Sequence, residues 1–216
     1  MPRGLHRVLG IDRLTDDTIS LRLSRDGVEF VPGQCFNVGV PETAVNREYS
    51  SYSGMNDPEL QFLIRIIAGG EVSQRLSRVK AGDLIEVDGA YGLFVIDPSL
   101  VPTTDFCFIG TGTGIAPFHC FVKSYPRLRY RIIHGTRYGA EAYNRSDYAP
   151  GSLVNCTSRD SKGDFQGRVT DYLQVQPLAT AAYYYLCGNR NMINDVYDIL
   201  RAKDISSSQI ITEVFF

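Results

Sequence analysis

No apolar run in this sequence approaches the roughly 20 residues that a membrane-spanning helix needs, which argues against a helical membrane protein. The opening stretch, MPRGLHRVLGIDRL, meets charge too early to act as a secretory signal, so the expected location is the cytoplasm. A basic excess is also missing. Lys and Arg number 22 against 24 Asp and Glu, a formal net charge of -2, which speaks against a nucleic-acid binder. The five cysteines (Cys35, Cys107, Cys120, Cys156 and Cys187) are scattered, none within two to four residues of another. That spacing excludes zinc and iron–sulfur motifs, and an odd number of dispersed thiols in a reducing compartment reads as buried cysteine. The three histidines, His6, His119 and His134, are equally scattered and read as structural or surface residues, with no metal expected. There is no low-complexity tract. With 44% hydrophobic and 21% charged residues in 216, the chain has a globular composition and room for one large domain or two of about 100 residues.

Two kinds of pattern divide the chain. From residue 5 to about 97 short alternating stretches such as TISLRLS, QCFNVGV and ELQFLIRII, then LIEVDG, read as strands, with one helical interruption at EVSQRLSRV. Strands at these intervals predict a small antiparallel β-barrel. IDPSLVPTT, residues 96–104, has two prolines and no period, which places a boundary between a domain of residues 1–98 and another of 104–216. Beyond it apolar strands alternate with helices: FCFIG, then IAPFHCFVKSY, RYRIIHG, a helical stretch from 139 to 148, SLVNCTS, GRVTDYLQ, AYYYLCG, NMINDVYDILRAK and QIITEVFF. This alternation predicts an α/β domain with a doubly wound parallel sheet, whose ligands bind outside the carboxyl ends of the strands.

Three stretches carry chemistry. IGTGTGIAPF, residues 109–118, is a strand, a glycine-rich turn and a helix start. Glycines at 110, 112 and 114 allow a close backbone approach and leave amide N–H groups for an anion; an ordinary tight strand–helix connection is the alternative. REYSS, residues 47–51, sets a guanidinium, an aromatic ring and hydroxyls along one short strand. Alternation puts Arg47, Tyr49 and Ser51 on one face and turns Ser50 away, and an exposed antiparallel strand would look similar. Arg137, Arg159 and Arg168 follow strand ends in the second half, where cations could converge on a phosphate or be solvated.

Four of these stretches, REYSS, GTGTGIAPF, YLCGN and the final TEVFF, in this order and spacing, resemble the ferredoxin–NADP reductase family, most of all the bacterial ferredoxin/flavodoxin-NADP reductases. The resemblance covers nearly the whole chain and implies an FAD-binding barrel followed by an NADP(H)-binding α/β domain. It implies that Arg47 pairs with the FAD pyrophosphate, that Tyr49 lies flat on the isoalloxazine, and that Ser50 hydrogen-bonds flavin N5, with Ser51 beside it. GGEVSQRL, residues 69–76, resembles the family's G-x-x-S segment with Gly70 and Ser73 in the matching places, which implies that Gly70, Glu71, Val72 and Ser73 lie at the FAD pyrophosphate; helix capping by Ser73 is the alternative. Gly112, Thr113 and Gly114 would hold NADP(H), with Arg137 near the adenosine ribose and Arg159 and Arg168 on the 2′-phosphate. Cys187 and Gly188 would position the nicotinamide beside Glu213. Phe215 would cover the flavin face opposite Tyr49, and Phe216 would be available to the adenine. The family's usual residue at 215 is Tyr; Phe keeps the ring and loses the hydroxyl.

The activity implied is that of a ferredoxin/flavodoxin-NADP reductase, a cytoplasmic monomer with Ser50, Cys187, Glu213 and Phe215 as its catalytic set. NADPH would be preferred over NADH, and ferredoxin or flavodoxin would be separate electron-carrier proteins. Arg75, Arg78 and Lys80 could steer an acidic carrier or form a solvated helix face. Two other readings stand beside this one: the reductase component of a multicomponent oxygenase, and a flavin- or nucleotide-binding regulatory module without turnover.

Overall fold

The computed structural model describes residues 4–41, 43 and 45–215. Two compact units are present. One runs to Val95 and includes Ala116–Ser124; the other comprises Ile96–Ile115 and the chain from Tyr125 onward.

The first unit contains strands β1 (Gly4–Thr15), β2 (Thr18–Ser24), β3 (Cys35–Gly39), β4 (Arg47–Ser50), β5 (Glu59–Arg65) and β6 (Leu84–Tyr91), with helix α1 (Glu71–Leu76) between β5 and β6. They form a sheet in the order β4-β3-β6-β1-β2-β5, every neighbouring pair antiparallel. The two edge strands approach through an isolated bridge between Ser51 and Phe62, with Tyr52 N donating to Gln61 O at 2.7 Å. The sheet is therefore barrel-like without being a closed barrel. Strand alternation explains its interior. Ile19, Leu21 and Leu23 of β2 and Leu60, Phe62 and Ile64 of β5 are all fully buried, each contributing about 1.5–3 kcal/mol relative to exposure.

Helix α2 (Ala116–Ser124) packs with this unit for reasons visible in its side chains. The Phe118 and Phe121 rings lie 6.2 and 6.1 Å from Phe94, and His119 stacks on Tyr52 at 3.8 Å. His119 Nδ1 donates to the Tyr52 carbonyl at 2.6 Å, and Lys123 pairs with Asp57 at 3.0 Å.

The second unit contains β7 (Asp105–Thr111), β8 (Arg129–Thr136), β9 (Leu153–Thr157), the two-residue β10 (Phe165–Gln166), helix α3 (Val169–Val175), β11 (Tyr183–Gly188), helix α4 (Arg190–Ala202) and β12 (Ile210–Val214). The sheet order is β10-β9-β8-β7-β11-β12, with all pairs parallel. The chain winds outward from β7 through β10 and then resumes on the other side with β11 and β12, so the order reverses beside β7. Such a switch point is where open α/β sheets bind ligands. Residues 106–110 of β7 are buried throughout, as a strand covered on both faces requires. On α4 the buried Met192, Ile193, Val196 and Leu200 form one stripe, and Asn189 caps the helix by accepting from Asn191 N and Met192 N.

One expected element is absent. Residues 139–148 form two short 3-10 turns, Gly139–Glu141 and Arg145–Asp147, in place of a helix. Asn144 adopts the left-handed conformation at φ 47°, which interrupts an α-helix, and the Glu141 side chain folds back onto Arg137.

Candidate functional sites

In the first unit β4 pairs with β3 so that Tyr49 lies opposite Phe36 and Ser50 opposite Cys35. Arg47 is exposed, Tyr49 half-buried, and Ser50 buried. Arg47 donates from Nη1 to the Asn46 carbonyl at 2.8 Å. Burial pushes the Tyr49 phenol up to about 12, partly offset by the Arg47 charge, so the ring is neutral near pH 7. Ser51 is fully buried. Its hydroxyl donates to Ser53 O at 3.0 Å and its amide donates to Gln34 O at 3.2 Å. Its polar atoms thus tie it to Ser53 and Gln34, beside the bridge to Phe62 of β5.

The Gly70–Ser73 segment opens α1. Gly70 is the N-cap residue, and a Cβ there would meet Ile67 Cβ at 2.9 Å and Ser73 Oγ at 3.0 Å, a close approach that glycine alone permits without adjustment. Ser73 Oγ accepts from Ile67 N at 3.1 Å, pinning the loop before the helix. The Glu71 carboxylate pairs with Arg75 at 3.1 Å, so it is Arg75 that offsets the negative charge of this turn. Val72 is buried.

In the second unit the glycine loop sits at the end of β7, beside the switch point, as a 3-10 turn over Gly112–Ile115. Gly112 has φ 55°. A Cβ at Gly114 would lie 2.5 Å from Cys187 O and 2.9 Å from Gly188 Cα, so the turn rests against the end of β11. Gly188 has φ 130°, and a Cβ there would lie 2.7 Å from Thr111 Oγ1. Thr113 is half-buried between these glycines. His134 of β8 holds the loop from beneath: its Nε2–H donates to Gly112 O at 2.8 Å. Burial lowers the imidazole to about 4, so it is neutral, and Nδ1 has no hydrogen-bond partner among the described residues.

Cys187 and Glu213 are register partners on β11 and β12, with Sγ 3.9 Å from Glu213 Oε2. Burial and the neighbouring carboxylate hold the Cys187 thiol well above its ordinary range. It is a neutral thiol, unsuited to nucleophilic attack. Phe215 N donates to Gly188 O at 2.9 Å, extending the ladder one residue past β12 and fixing the ring's origin. Phe216 lies outside the described residues.

The three arginines gather at one corner of the sheet's carboxyl edge. Arg159 N donates to Arg137 O at 2.8 Å, and Gly167 N donates to Thr157 O at 2.8 Å, which brings Arg168 to the end of β9. Arg159 and Arg168 are exposed. Arg137 differs: its guanidinium is clamped by Glu141, with Nε 3.0 Å and Nη2 2.9 Å from Oε1, and that carboxylate is nearly buried at 7% exposure. Glu141 and Asp160, which accepts from Gly139 N at 3.0 Å, were not named from the sequence, though the R-x3-E spacing of Arg137 and Glu141 was an available signal. His134, expected to be structural or surface, is structural.

Comparison with known proteins accords with this geometry. Residues 8–96 match the oxidoreductase FAD-binding domain family. The chain is 29% identical to the toluate 1,2-dioxygenase electron transfer component of Pseudomonas putida, over 96% of this chain and 66% of that one. It is 27% identical to a flavodoxin/ferredoxin–NADP reductase of Shigella flexneri, over 88% of this chain and 86% of that one. It thus spans about two thirds of the first relative's length. The crystal structure of a ferredoxin NADP+ reductase from Neisseria gonorrhoeae with bound FAD and NADP shares the fold, at a TM-score of 0.88 and 22% identity with 100% of both chains covered. The barrel-like antiparallel sheet is thus of the oxidoreductase FAD-binding kind, and it is followed in the chain by a parallel sheet with a glycine turn at its switch point. Residues 8–96 belong to the oxidoreductase FAD-binding domain family, and the chain as a whole is similar to the ferredoxin–NADP reductases.

Proposed function

We propose that the chain takes reducing equivalents from NADPH through FAD and passes them singly to a separate carrier protein, a ferredoxin or flavodoxin. Residues 1–98 would hold FAD and 104–216 NADP(H). When bound, FAD supplies the conversion between two-electron and one-electron transfer. The observation that carries this reading is the register-matched Cys187–Glu213 pair at the carboxyl edge beside a glycine turn that no larger residue could occupy undisturbed.

The chain's residues fit these roles. Tyr49 offers a neutral ring for stacking, Arg47 a guanidinium for phosphate, and Ser50 a hydroxyl beneath the ring position. The close turn at Gly70 and Ser73 lets backbone amides face a pyrophosphate, with Glu71 and Val72 contributing main chain alone. Gly112, Thr113 and Gly114 would cradle the second pyrophosphate. Gly188 gives a nicotinamide room, and Glu213 together with the neutral Cys187 thiol orients it while excluding water. Phe215 supplies a second aromatic surface for the flavin. Arg159 and Arg168 read the 2′-phosphate; Arg137, clamped by Glu141, shapes the corner. The likeness to the Shigella reductase over 86% of its length supports this activity.

A second reading, the reductase component of an oxygenase system, is favoured by the likeness to the toluate dioxygenase component. Steady-state oxidation of NADPH and NADH by the FAD-loaded protein, with ferredoxins and flavodoxins as acceptors, tests both. NADPH preference with transfer to a ferredoxin or flavodoxin of general metabolism supports the first; transfer confined to an oxygenase ferredoxin supports the second. Failure to reduce any acceptor from either nucleotide refutes both.

A further inference from the structure

A cavity of about 250 Å³ opens at the amino ends of β7, β8 and β11, the end of the sheet remote from the glycine turn. Its floor is set by strand register. Arg131, Cys107 and Tyr184 face one another across β8, β7 and β11, and Arg129 and Asp105 form the next row. The last turn of α3, with Tyr172 and Gln176, and the 177–182 loop line the rest. The apolar wall is supplied by Ile133, Pro177, Leu178 and Ala182.

The charges in this cavity do not cancel. Arg129 is held by Asp105 through two bonds of 2.8 Å, so that pair is internally satisfied. The negative end of α3 is offset by Lys203, whose Nζ donates to Gln174 O at 2.9 Å and Gln176 O at 2.8 Å. Two phenols are already engaged: Tyr184 OH donates to Ala179 O at 2.9 Å, and Tyr130 OH accepts from Ala149 N at 2.9 Å. Arg131 remains. Its guanidinium lies 5.7 Å over the Tyr172 ring and donates to the Tyr172 hydroxyl, which fixes its orientation, and it has no carboxylate partner among the described residues. Burial pushes the neighbouring Cys107 thiol up to about 12, with the Arg131 charge pulling it back, so that charge is felt within the cavity lining.

We propose that this cavity is a second ligand site, taking a small apolar carboxylate of about the size of benzoate, its carboxylate on Arg131 and its hydrocarbon body against Ile133, Leu178 and Ala182. A fixed guanidinium gives charge-assisted bonds to a carboxylate. The volume, just below the roughly 300–1,000 Å³ of drug-sized pockets, sets the upper limit on the body, and the surrounding tyrosine rings suit an aromatic one.

The test uses the full chain loaded with FAD and carrying methyl-labelled Ile and Leu. Sodium benzoate is titrated by NMR, with benzyl alcohol and acetate as probes that lack the charge and the body respectively. Saturable benzoate binding, shifts at Ile133 and Leu178, and affinity about tenfold weaker for both comparison probes support the site. Arg131→Met, a change at an exposed position, should abolish the preference for benzoate over benzyl alcohol while leaving the unfolding midpoint in place. Equal binding of benzyl alcohol, benzoate shifts confined to other methyls, retention of the preference in Arg131→Met, or no saturable binding would each overturn the proposal. The methyl shifts in the unmodified protein decide the matter should the variant be unstable.

Discussion

Replacing Gly114 by Ala adds one methyl where the structure has no room for it. The new Cβ would lie 2.5 Å from Cys187 O, 2.8 Å from its carbonyl carbon and 2.9 Å from Gly188 Cα. Ordinary carbon contacts begin near 3.5 Å, so the turn and the end of β11 must part by about 1 Å. Overpacking of this kind costs about 1–3 kcal/mol. If that strain is relieved by the nucleotide-holding conformation giving way, each 1.4 kcal/mol is about tenfold, and the Michaelis constant for NADPH should rise by roughly 5- to 150-fold. FAD content should be unchanged, because the turn belongs to the second unit. The assay is NADPH oxidation with ferricyanide as acceptor, together with flavin absorbance per chain and the unfolding midpoint. Gly151→Ala is the control: its φ of 78° strains alanine, but nothing lies within 4 Å, so it should lower stability and leave kinetics alone. A Gly114→Ala protein that loses stability yet keeps the normal constant for NADPH would refute the role assigned to the turn.

Three further outcomes follow from the same geometry. His134 is depressed by burial from 6.5 to about 4, so its contribution to stability is complete above pH 6.5 and is lost as the pH falls toward 4. The loss amounts to roughly 3 kcal/mol; denaturant melts across that range should show it, and His134→Gln, which can still donate to Gly112 O, should flatten it. Arg159→Ala or Arg168→Ala should raise the Michaelis constant for NADPH about tenfold and barely move that for NADH, with stability altered by no more than about 0.5 kcal/mol; equal losses with both nucleotides would remove the 2′-phosphate assignment. Arg137→Ala should behave differently, destabilising the chain by about 2–4 kcal/mol because it strips the guanidinium from a carboxylate that is 7% exposed; a melt indistinguishable from the parent would show that the clamp is not structural.

The fold was largely legible because its two halves obey different periods. Alternation in TISLRLS and the buried run FCFIG each reflect how many faces of a strand are covered, and both became strands; FCFIG is buried throughout, whereas Thr18 and Ser20 of TISLRLS are buried along with its apolar residues. The segment 139–148 was not legible as turns, since a left-handed Asn144 and a carboxylate folding back on Arg137 are tertiary outcomes that helix-compatible residues conceal. The site divided along the same line. Glycines 112 and 114 announced a close approach, and the structure shows what each approaches. Strand alternation set Ser51 with Arg47 and Tyr49, yet Ser51 is buried in the bridge to β5, because the strand changes partner at that residue. His134 is structural, one of the two roles its isolation suggested, but its partner was hidden because the bond to Gly112 spans 22 residues. Nor does composition reveal that Arg137 is neutralised by Glu141 while Arg159 is exposed.

The central claim is that the chain carries electrons from NADPH through bound FAD, and anaerobic stopped-flow mixing tests it most directly. The purified, FAD-loaded protein should lose its flavin absorbance within the mixing and turnover time on addition of NADPH, and regain it when an oxidised ferredoxin or flavodoxin is added. A protein that stays colourless with excess FAD, or whose flavin colour persists in the presence of NADPH, would contradict the account.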